Sequence, residues 1–527
     1  MRKFLLLIAV ALFSTATYAQ LWNASISAAG AMDAVDFNSP AAMDKDGNLY
    51  VTGTLTEAFD FAGQEVAPLA LGAYIAKYDV NGKELFAIVL HGSISVTAIT
   101  TDADNNFYVA GSYAGEAYIA DVEGVTGEYV TLTNSEEDSR TAAFIAKYDA
   151  QGNLLTVKSY EAVLPLEDYF DEMWGEMLSG INGMPYYGSN PTISISKIVA
   201  EGSKVYAQFN YTGDVAVETE LTLTAKYLFV WGMAYIDALN VAVVSFDADL
   251  ANAANVAVLT VADVAADASG VDAFNFEVDG ENVYVAAFGV GNLVLTTSAG
   301  TEAIDFAFDG EGAAEKGAIL AKVGSKAVKF SNIPNSSYAN FDAINGIEVR
   351  DGKIYLAGTF GVTCAFDNSK VATGASDVFV ASIDANELTA DWVYTNANDE
   401  GETNKFYEEV TAVAFGKEHV YVVDAITDMN NEVAPAAKNY AVSYQGVANE
   451  GIAIPATTVA YNENNVAVIN YTDATYITMF GAEVTNSIES VAVETENTVI
   501  YDLTGRRVEN IANAGIYIVN GKKVVVK

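Results

Sequence analysis

The 527-residue chain contains one cysteine, Cys364, and two histidines, His91 and His419. A lone cysteine excludes an intramolecular disulfide and a cysteine-cluster zinc site. Two histidines leave little material for a histidine-based metal centre or a Ser-His-Asp triad. Basic residues are scarce as well: 26 Lys and Arg stand against 69 Asp and Glu, a formal charge of −43. A chain so acidic repels a phosphate backbone, which excludes nucleic acid and an anionic membrane surface as partners. Beyond an N-terminal apolar run, no stretch approaches about 18 consecutive apolar residues, so no transmembrane segment is expected in the mature chain. No glycine-rich loop opens a helix, so nucleotide binding is unsupported. The four tryptophans are not periodic, unlike the repeated docking motifs of quinone-holding propellers. What the chain does have is 51% hydrophobic residues, enough for a packed core and too many for disorder over most of its length.

Both ends read as addresses. Arg2 and Lys3 precede the apolar run 4–13, and Thr17-Tyr18-Ala19 offers small residues where a signal peptidase reads. A signal peptide over 1–19 is expected, leaving a mature charge of −45. From Thr485 onward five acids meet five bases, so the preceding region carries all of that charge. This change in composition marks a boundary, giving a main domain over 20–484 and a C-terminal domain over 485–527. Within the latter, strands are expected at 499–502, 515–519 and 523–526, separated by Thr504-Gly505 and Asn520-Gly521 turns.

The run YDLTGRRV, a spacer and GIYIVNGKKVVVK resembles the C-terminal sorting domain of proteins exported by the type IX secretion system of Bacteroidetes. The matching positions are Tyr501, Asp502, Gly505, Arg506, Arg507, Gly515, Tyr517, Gly521 and Lys522. The resemblance covers about 40 residues and is shorter than the longest members, which carry an Asn-Pro motif and more strands upstream. It implies passage across the outer membrane by the secretion machinery, then removal of the domain or attachment to a surface glycolipid.

The middle repeats. One signature is a turn followed by an aromatic strand, as in Asp46-Gly47-Asn48-Leu49-Tyr50-Val51-Thr52-Gly53. It returns around Tyr108, Tyr206, Tyr284, Tyr355 and Tyr421, and without the tyrosine at Ala467. A second signature follows each of the first six: YIAKYD at 74–79, FIAKYD at 144–149, then weaker copies at 242–247, 318–323, 379–384 and 440–445. The spacing between tyrosines is 58, 98, 78, 71 and 66, with 46 to Ala467. Propeller repeats run to roughly 40–50 residues, so most units carry insertions. One strand before the first turn, one after it, the KYD strand and an outer strand make a four-stranded blade. An all-β propeller of seven blades is expected, with six as the alternative. The mature N-terminal strand near 21–26 would supply the strand missing from the last unit, 457–484, and so hide two open edges. The pattern DxxGNxYVxG followed by FxAKYDxxG resembles the bacterial seven-bladed β-propeller repeat of secreted proteins, clearly over 38–163 and 341–397. That resemblance implies a surface binding or scaffold role and no particular catalysis.

Three constellations are candidates for chemistry. Asp44, Asp46 and Asn48, with Asp102 and Asp104, space oxygens as calcium loops do. Neither run has the acidic twelfth ligand, and self-bonded tight turns explain the same residues. Calcium is the one cofactor left open. The insert 163–192 interrupts the repeat; 167–179 has the pattern of a short amphipathic helix. Trp174, Tyr186 and Tyr187 in it form a candidate platform for a glycan or protein ligand, or pack the insert onto the rim. The aromatic run 227–235 reads as buried strand. Cys364 is expected on a strand beside Phe366 as a small buried hydrophobe. With 69 acids no carboxylate pair stands out, so no catalytic residue is named. The leading reading is a secreted or outer-membrane-surface propeller that binds without catalysis; the alternative is a glycan-active enzyme using channel carboxylates.

Overall fold

In a computed structural model the chain is all-β: no helix occurs among the described residues. These are 26–28, 40–477 and the terminal strands 500–502, 507–508, 515–519 and 522–526. Left out within 40–477 are 56–57, 68–70, 80–82, 123–128, 135–140, 172–175, 189, 231, 263–268, 307–315, 325, 334–341, 397–405, 416–418, 429–435, 451–457, 462–466 and 471–474. The signal-peptide segment and Trp174, Gly505, Arg506 and Gly521 lie outside the described residues. Residues 21–482 gather into one compact unit, and 483–527 fall with 1–20 into another.

The larger unit is a succession of four-stranded antiparallel meanders. The fourth repeat shows the plan: Gly270–Asp279 innermost, then Asn282–Val290, Lys316–Lys322 and Lys326–Ile333. The fifth uses Ala343–Arg350, Lys353–Phe360, Asp377–Asp384 and Ala390–Thr395; the sixth uses Phe406–Phe415, His419–Asp428, Ala436–Ser443 and Ala448–Glu450. The third begins at Ile193–Glu201, Lys204–Tyr211, Asn240–Asp247 and Ala254–Val261, and a hairpin from the fourth repeat, Asn292–Thr297 with Gly300–Asp305, widens its outer edge. Repeats one and two share the 18-residue strand Glu84–Thr101, outermost in one and innermost in the next. After the sixth repeat, Thr458–Tyr461 pairs with Ala467–Asn470, and Thr475–Ile477 pairs antiparallel with the N-terminal strand Ile26–Ala28. The N-terminal strand therefore pairs with the last described strand of this unit, as ring closure requires.

The two sequence signatures are cross-strand partners, which explains why they travel together. Tyr50 sits opposite Lys77, Tyr108 opposite Lys147 and Tyr284 opposite Lys322. Each ammonium lies over its tyrosine ring, at 4.6, 5.2 and 5.5 Å from the centroid. Three positions on, Gly53 faces Tyr74, Gly111 faces Phe144 and Gly358 faces Phe379. The aromatic ring occupies the space a side chain would need: a Cβ on Gly111 would lie 2.9 Å from Phe144 and 1.9 Å from the Ser95 carbonyl oxygen.

The core lies between adjacent sheets. Tyr50, Ile75 and Ile88 of repeat one pack with Phe107, Phe144 and Tyr148 of repeat two. Similar clusters join repeats two and three, three and four, four and five, and five and six. The third strand of repeat one, Gly72–Tyr78, is buried on both faces, hence its nearly unbroken apolar sequence. Polar side chains add ties from one repeat to the next. Lys77 donates to the Ala150 carbonyl at 2.9 Å, Lys147 to Ala248 at 2.8 Å, and Lys322 to the Asn386 side chain at 3.4 Å. The innermost strands of repeats two to six each bulge by one residue, beginning at Val96, Ile195, Val271, Ile344 and Val410. A bulge frees a carbonyl from the ladder. Three of these carbonyls are taken up by the preceding repeat: Thr97 donates to Ile195, Asn275 to Ile344 and Asn345 to Val410.

The C-terminal strands form a separate sheet in the order Arg507–Val508, Ile500–Asp502, Gly515–Val519, Lys522–Val526. Tyr501 pairs with Arg507 and Ile518, and Asp502 pairs with Tyr517. The two-residue strand after Gly505 is too short to leave a sequence pattern.

Candidate functional site

Strand direction sorts the connections onto two faces. Turns between first and second strands, and between third and fourth, lie at one end of each meander. The other end carries the connections from second to third strand and from each outer strand to the next repeat.

The first face holds the acidic signature turns. Asp44 Oδ1 accepts the backbone N–H of Asp46 at 3.0 Å and of Asn48 at 2.8 Å, while Oδ2 accepts the Asn48 amide at 2.8 Å. Lys77 Nζ lies 3.5 Å from the same Oδ2, with both side chains buried. Burial holds the Lys77 ammonium below its usual pKa, against the pull of Asp44. Asp102 repeats the turn with Asp104 and Asn106, and the single Tyr108 hydroxyl proton is shared between its Oδ2 at 3.1 Å and the nearer Ala248 carbonyl at 2.8 Å. Asp149 and Asp384 do likewise, and the backbone N–H groups of Glu387 and Asn386 help hold the Asp384 carboxyl at about 2. The oxygens of Asp44 and Asp102 thus serve their own turns. Asp46, a central residue of its turn, directs its carboxylate away from it and accepts the Asn105 amide at 2.6 Å. Among the described residues no three His, Cys, Asp or Glu side chains gather where they could hold a metal.

The innermost strands carry a polar network. Lys197 reaches Glu277 and Asn275, each at 3.1 Å, and Arg350 lies 2.6 Å from Glu348. Burial, reinforced by Glu277, pushes the Glu348 carboxyl up to about 7 against the attraction of Arg350. Each of these acids is tied to a cation. Asp342, at the start of the fifth repeat, is 7% exposed; it accepts the Gly361 N–H at 3.1 Å, and burial pushes it up to about 6. Cys364 is buried, its thiol pushed up to about 12 by burial. It does not lie on a strand. It occupies a turn in the 361–376 connection, with its N–H donating to Lys370, because Asp367 and Ser369 close tight turns there. A cavity of about 170 Å³ lies between the 297–300 turn and Lys322, smaller than the usual ligand pocket.

The second face bears the long connections. Of fourteen exposed large apolar side chains among the described residues, eleven lie in these connections, and the other three begin outer strands or sit in a turn at the opposite end. Most of the eleven fall within the insert 163–192. Its segment 167–179 is not a helix: Glu167–Asp171 pairs with Glu176–Gly180 as a hairpin. The apolar residues serve a two-sided ribbon, and Gly175 disfavours a helix. Tyr169 and Leu178 pair on one side, where the Tyr169 ring covers Gly180. Phe170 and Met177 pair on the other, 59% and 61% exposed. Asn182 and Gly183, at φ +51° and +72°, then form a tight turn closed by Ile181 and Met184.

Tyr186 and Tyr187 follow, 40% and 60% exposed, on a short strand parallel to Met233–Tyr235. The Tyr187 and Tyr235 rings lie 5.3 Å apart. The run 227–235 is in part the buried strand its sequence suggests: Tyr227 and Ala234 are buried, while Leu228–Val230 and Met233–Tyr235 form a hairpin. Ala162 and Val163 also pair with Val215 and Asp214 of the same connection. The inserts of two neighbouring repeats thus form one body, a joining with no signal in either segment alone.

No family model matches the chain. Among curated proteins, an uncharacterized WD repeat-containing protein of Acanthamoeba polyphaga mimivirus is 28% identical over 153 residues, 26% of this chain. The matched part spans a tenth of that protein's length. Among solved structures, the β-propeller domain of the Trilobed protease from Pyrococcus furiosus aligns over 79% of this chain and 97% of its own, at TM-score 0.29 and 8% identity. A DUF4221 family member from Bacteroides vulgatus aligns over 77% and 98%, at TM-score 0.28 and 11% identity. The Dos1 propeller aligns over 83% and 92%, at TM-score 0.30 and 10% identity. These likenesses are weak. The propeller architecture described above rests on the strand pairing itself.

Proposed function

We propose that this chain is a seven-bladed β-propeller that is exported to the cell surface or beyond and works by binding, without catalysis. The carrying observation is the asymmetry between its faces: short self-satisfied turns at one end, and long inserts with exposed apolar side chains at the other. Water-exposed apolar patches of this kind mark interaction sites. Counting the Thr458–Tyr461 and Ala467–Asn470 pair with the Thr475–Ile477 and Ile26–Ala28 pair as one unit makes the seventh blade. The cations on Glu277 and Glu348 favour a structural role for these acids over the acid–base work of a glycan-active enzyme. The Tyr501, Asp502, Arg507, Gly515, Tyr517 and Lys522 motif supports export through the secretion machinery, with 485–527 as the sorting segment. Fractionation of native cells with intact-mass measurement tests this. The expected result is protein outside the cell or on its surface without residues 485–527. A periplasmic protein ending at Lys527 contradicts it.

A further inference from the structure

Resting on that binding-face reading, we infer that the joined insert of repeats two and three docks a cationic, apolar-faced polypeptide. Three observations converge. First, Phe170 and Met177 form an exposed apolar cross-strand pair on a two-stranded ribbon, with Met184, Tyr186 and Tyr187 exposed on the chain that follows. Methionine adapts its shape to a partner helix or loop, and aromatic rings offer it large rigid contact area, which suits a polypeptide. A sugar needs polar groups around each ring, whereas the direct neighbour of Phe170 is another apolar side chain.

Second, the connections 163–192 and 212–239 carry nine acids and a single base, Lys226. Glu167, Asp168 and Glu176 stand on the same ribbon as Phe170 and Met177, so a partner burying that pair comes close to these carboxylates. Cations in the partner would lower the cost of that approach and speed encounter. Third, a second copy of this chain is disfavoured because each copy carries a net charge near −43.

The test uses the full mature chain at about 150 mM salt. Four probes are titrated: an amphipathic Leu/Lys 14-mer, oligolysine of equal charge, the Leu/Glu counterpart of the 14-mer, and chitohexaose. The Leu/Lys peptide is expected to bind at least about tenfold more tightly than oligolysine, and the Leu/Glu peptide not at all. Phe170→Ser with Met177→Ser and Tyr187→Ser should weaken it by about tenfold or more. Leu85→Ser with Leu155→Ser, exposed at the opposite end, should not. All five side chains are exposed, and Tyr187→Ser alone, expected to give a smaller loss, guards against misfolding of the triple variant. Equal binding of oligolysine, or an unchanged triple variant, overturns the docking site. Binding of chitohexaose alone, lost in the triple variant, leaves the binding face standing and overturns the cationic polypeptide. No binding of any probe counts against both.

Discussion

Replacing Lys77 and Lys147 by methionine should cost unequal amounts, although the two lysines hold equivalent places in their repeats. Methionine keeps most of the aliphatic stem, so the loss is confined to the ammonium. At Lys147 that loss is small, because the Ala248 carbonyl still accepts the Tyr108 hydroxyl at 2.8 Å. Because this acceptor keeps another donor, losing the charged hydrogen bond costs near the low end of its range, about 1.5 kcal/mol. At Lys77 the ammonium also faces Asp44, whose side chain is fully buried. Removing one partner of a buried pair costs about 3–5 kcal/mol. The three hydrogen bonds that Asp44 retains reduce this, so about 3 kcal/mol is expected. Urea unfolding followed by far-UV circular dichroism measures both variants against wild type. Adding Asp44→Asn to Lys77→Met should restore about 1–2 kcal/mol, since the uncompensated charge is then gone and Asn48 can turn its amide to match. Equal losses at the two lysines, or a Lys77→Met loss under about 0.5 kcal/mol, would refute the reasoning.

Other expectations follow from the same packing. Gly111→Ala should destabilise by about 3 kcal/mol or more, because the new Cβ meets the Ser95 carbonyl and the Phe144 ring. Gly115→Ala, at φ +69° in open space, should cost only the backbone strain of about 1–2 kcal/mol; similar losses at the two sites in urea unfolding would count against the ring-over-glycine account. Asp342 holds its proton more tightly folded than unfolded, so its ionisation removes stability as pH rises from about 4 to 6. Asp342→Asn should therefore raise the urea midpoint at pH 8 and give no gain at pH 4, with the reverse pattern refuting the sign.

Much of the fold was legible because its signatures are local. In repeats one and two the tyrosine and lysine of the two motifs sit opposite each other, as do the glycine and the aromatic ring, while repeats four and five each keep one of the two pairs, so these repeats announce their central pair of strands. The ties between repeats were not legible. Lys77 and Lys147 end on carbonyl oxygens, which every residue has, and Lys197 meets Glu277 from 80 positions away. The insert was readable as an interruption rich in aromatics, but neither their exposure nor the ribbon was. Adjacent Tyr169 and Phe170 suit either a helix face or two sides of a hairpin, and the partner of Tyr186 is Ala234, in another repeat. Cys364 is a core residue, as its apolar neighbours predict, but not a strand residue, because the hydrophobic pattern around it does not register the Asp367 turn.

Closure of the successive meanders into a ring rests on the N-terminal strand. Ser27 and Tyr476 are Cα partners in the strand pair that would close it. The decisive measurement is disulfide formation in a Ser27→Cys, Tyr476→Cys double variant, read by intact mass and by the urea midpoint. The native Cys364 is buried, so it should not compete. Closure predicts rapid formation of the bond in the folded protein, a higher midpoint, and no bond in a Ser27→Cys, Ala467→Cys control. Failure of the first pair to cross-link, or equal cross-linking of the control, would contradict the ring.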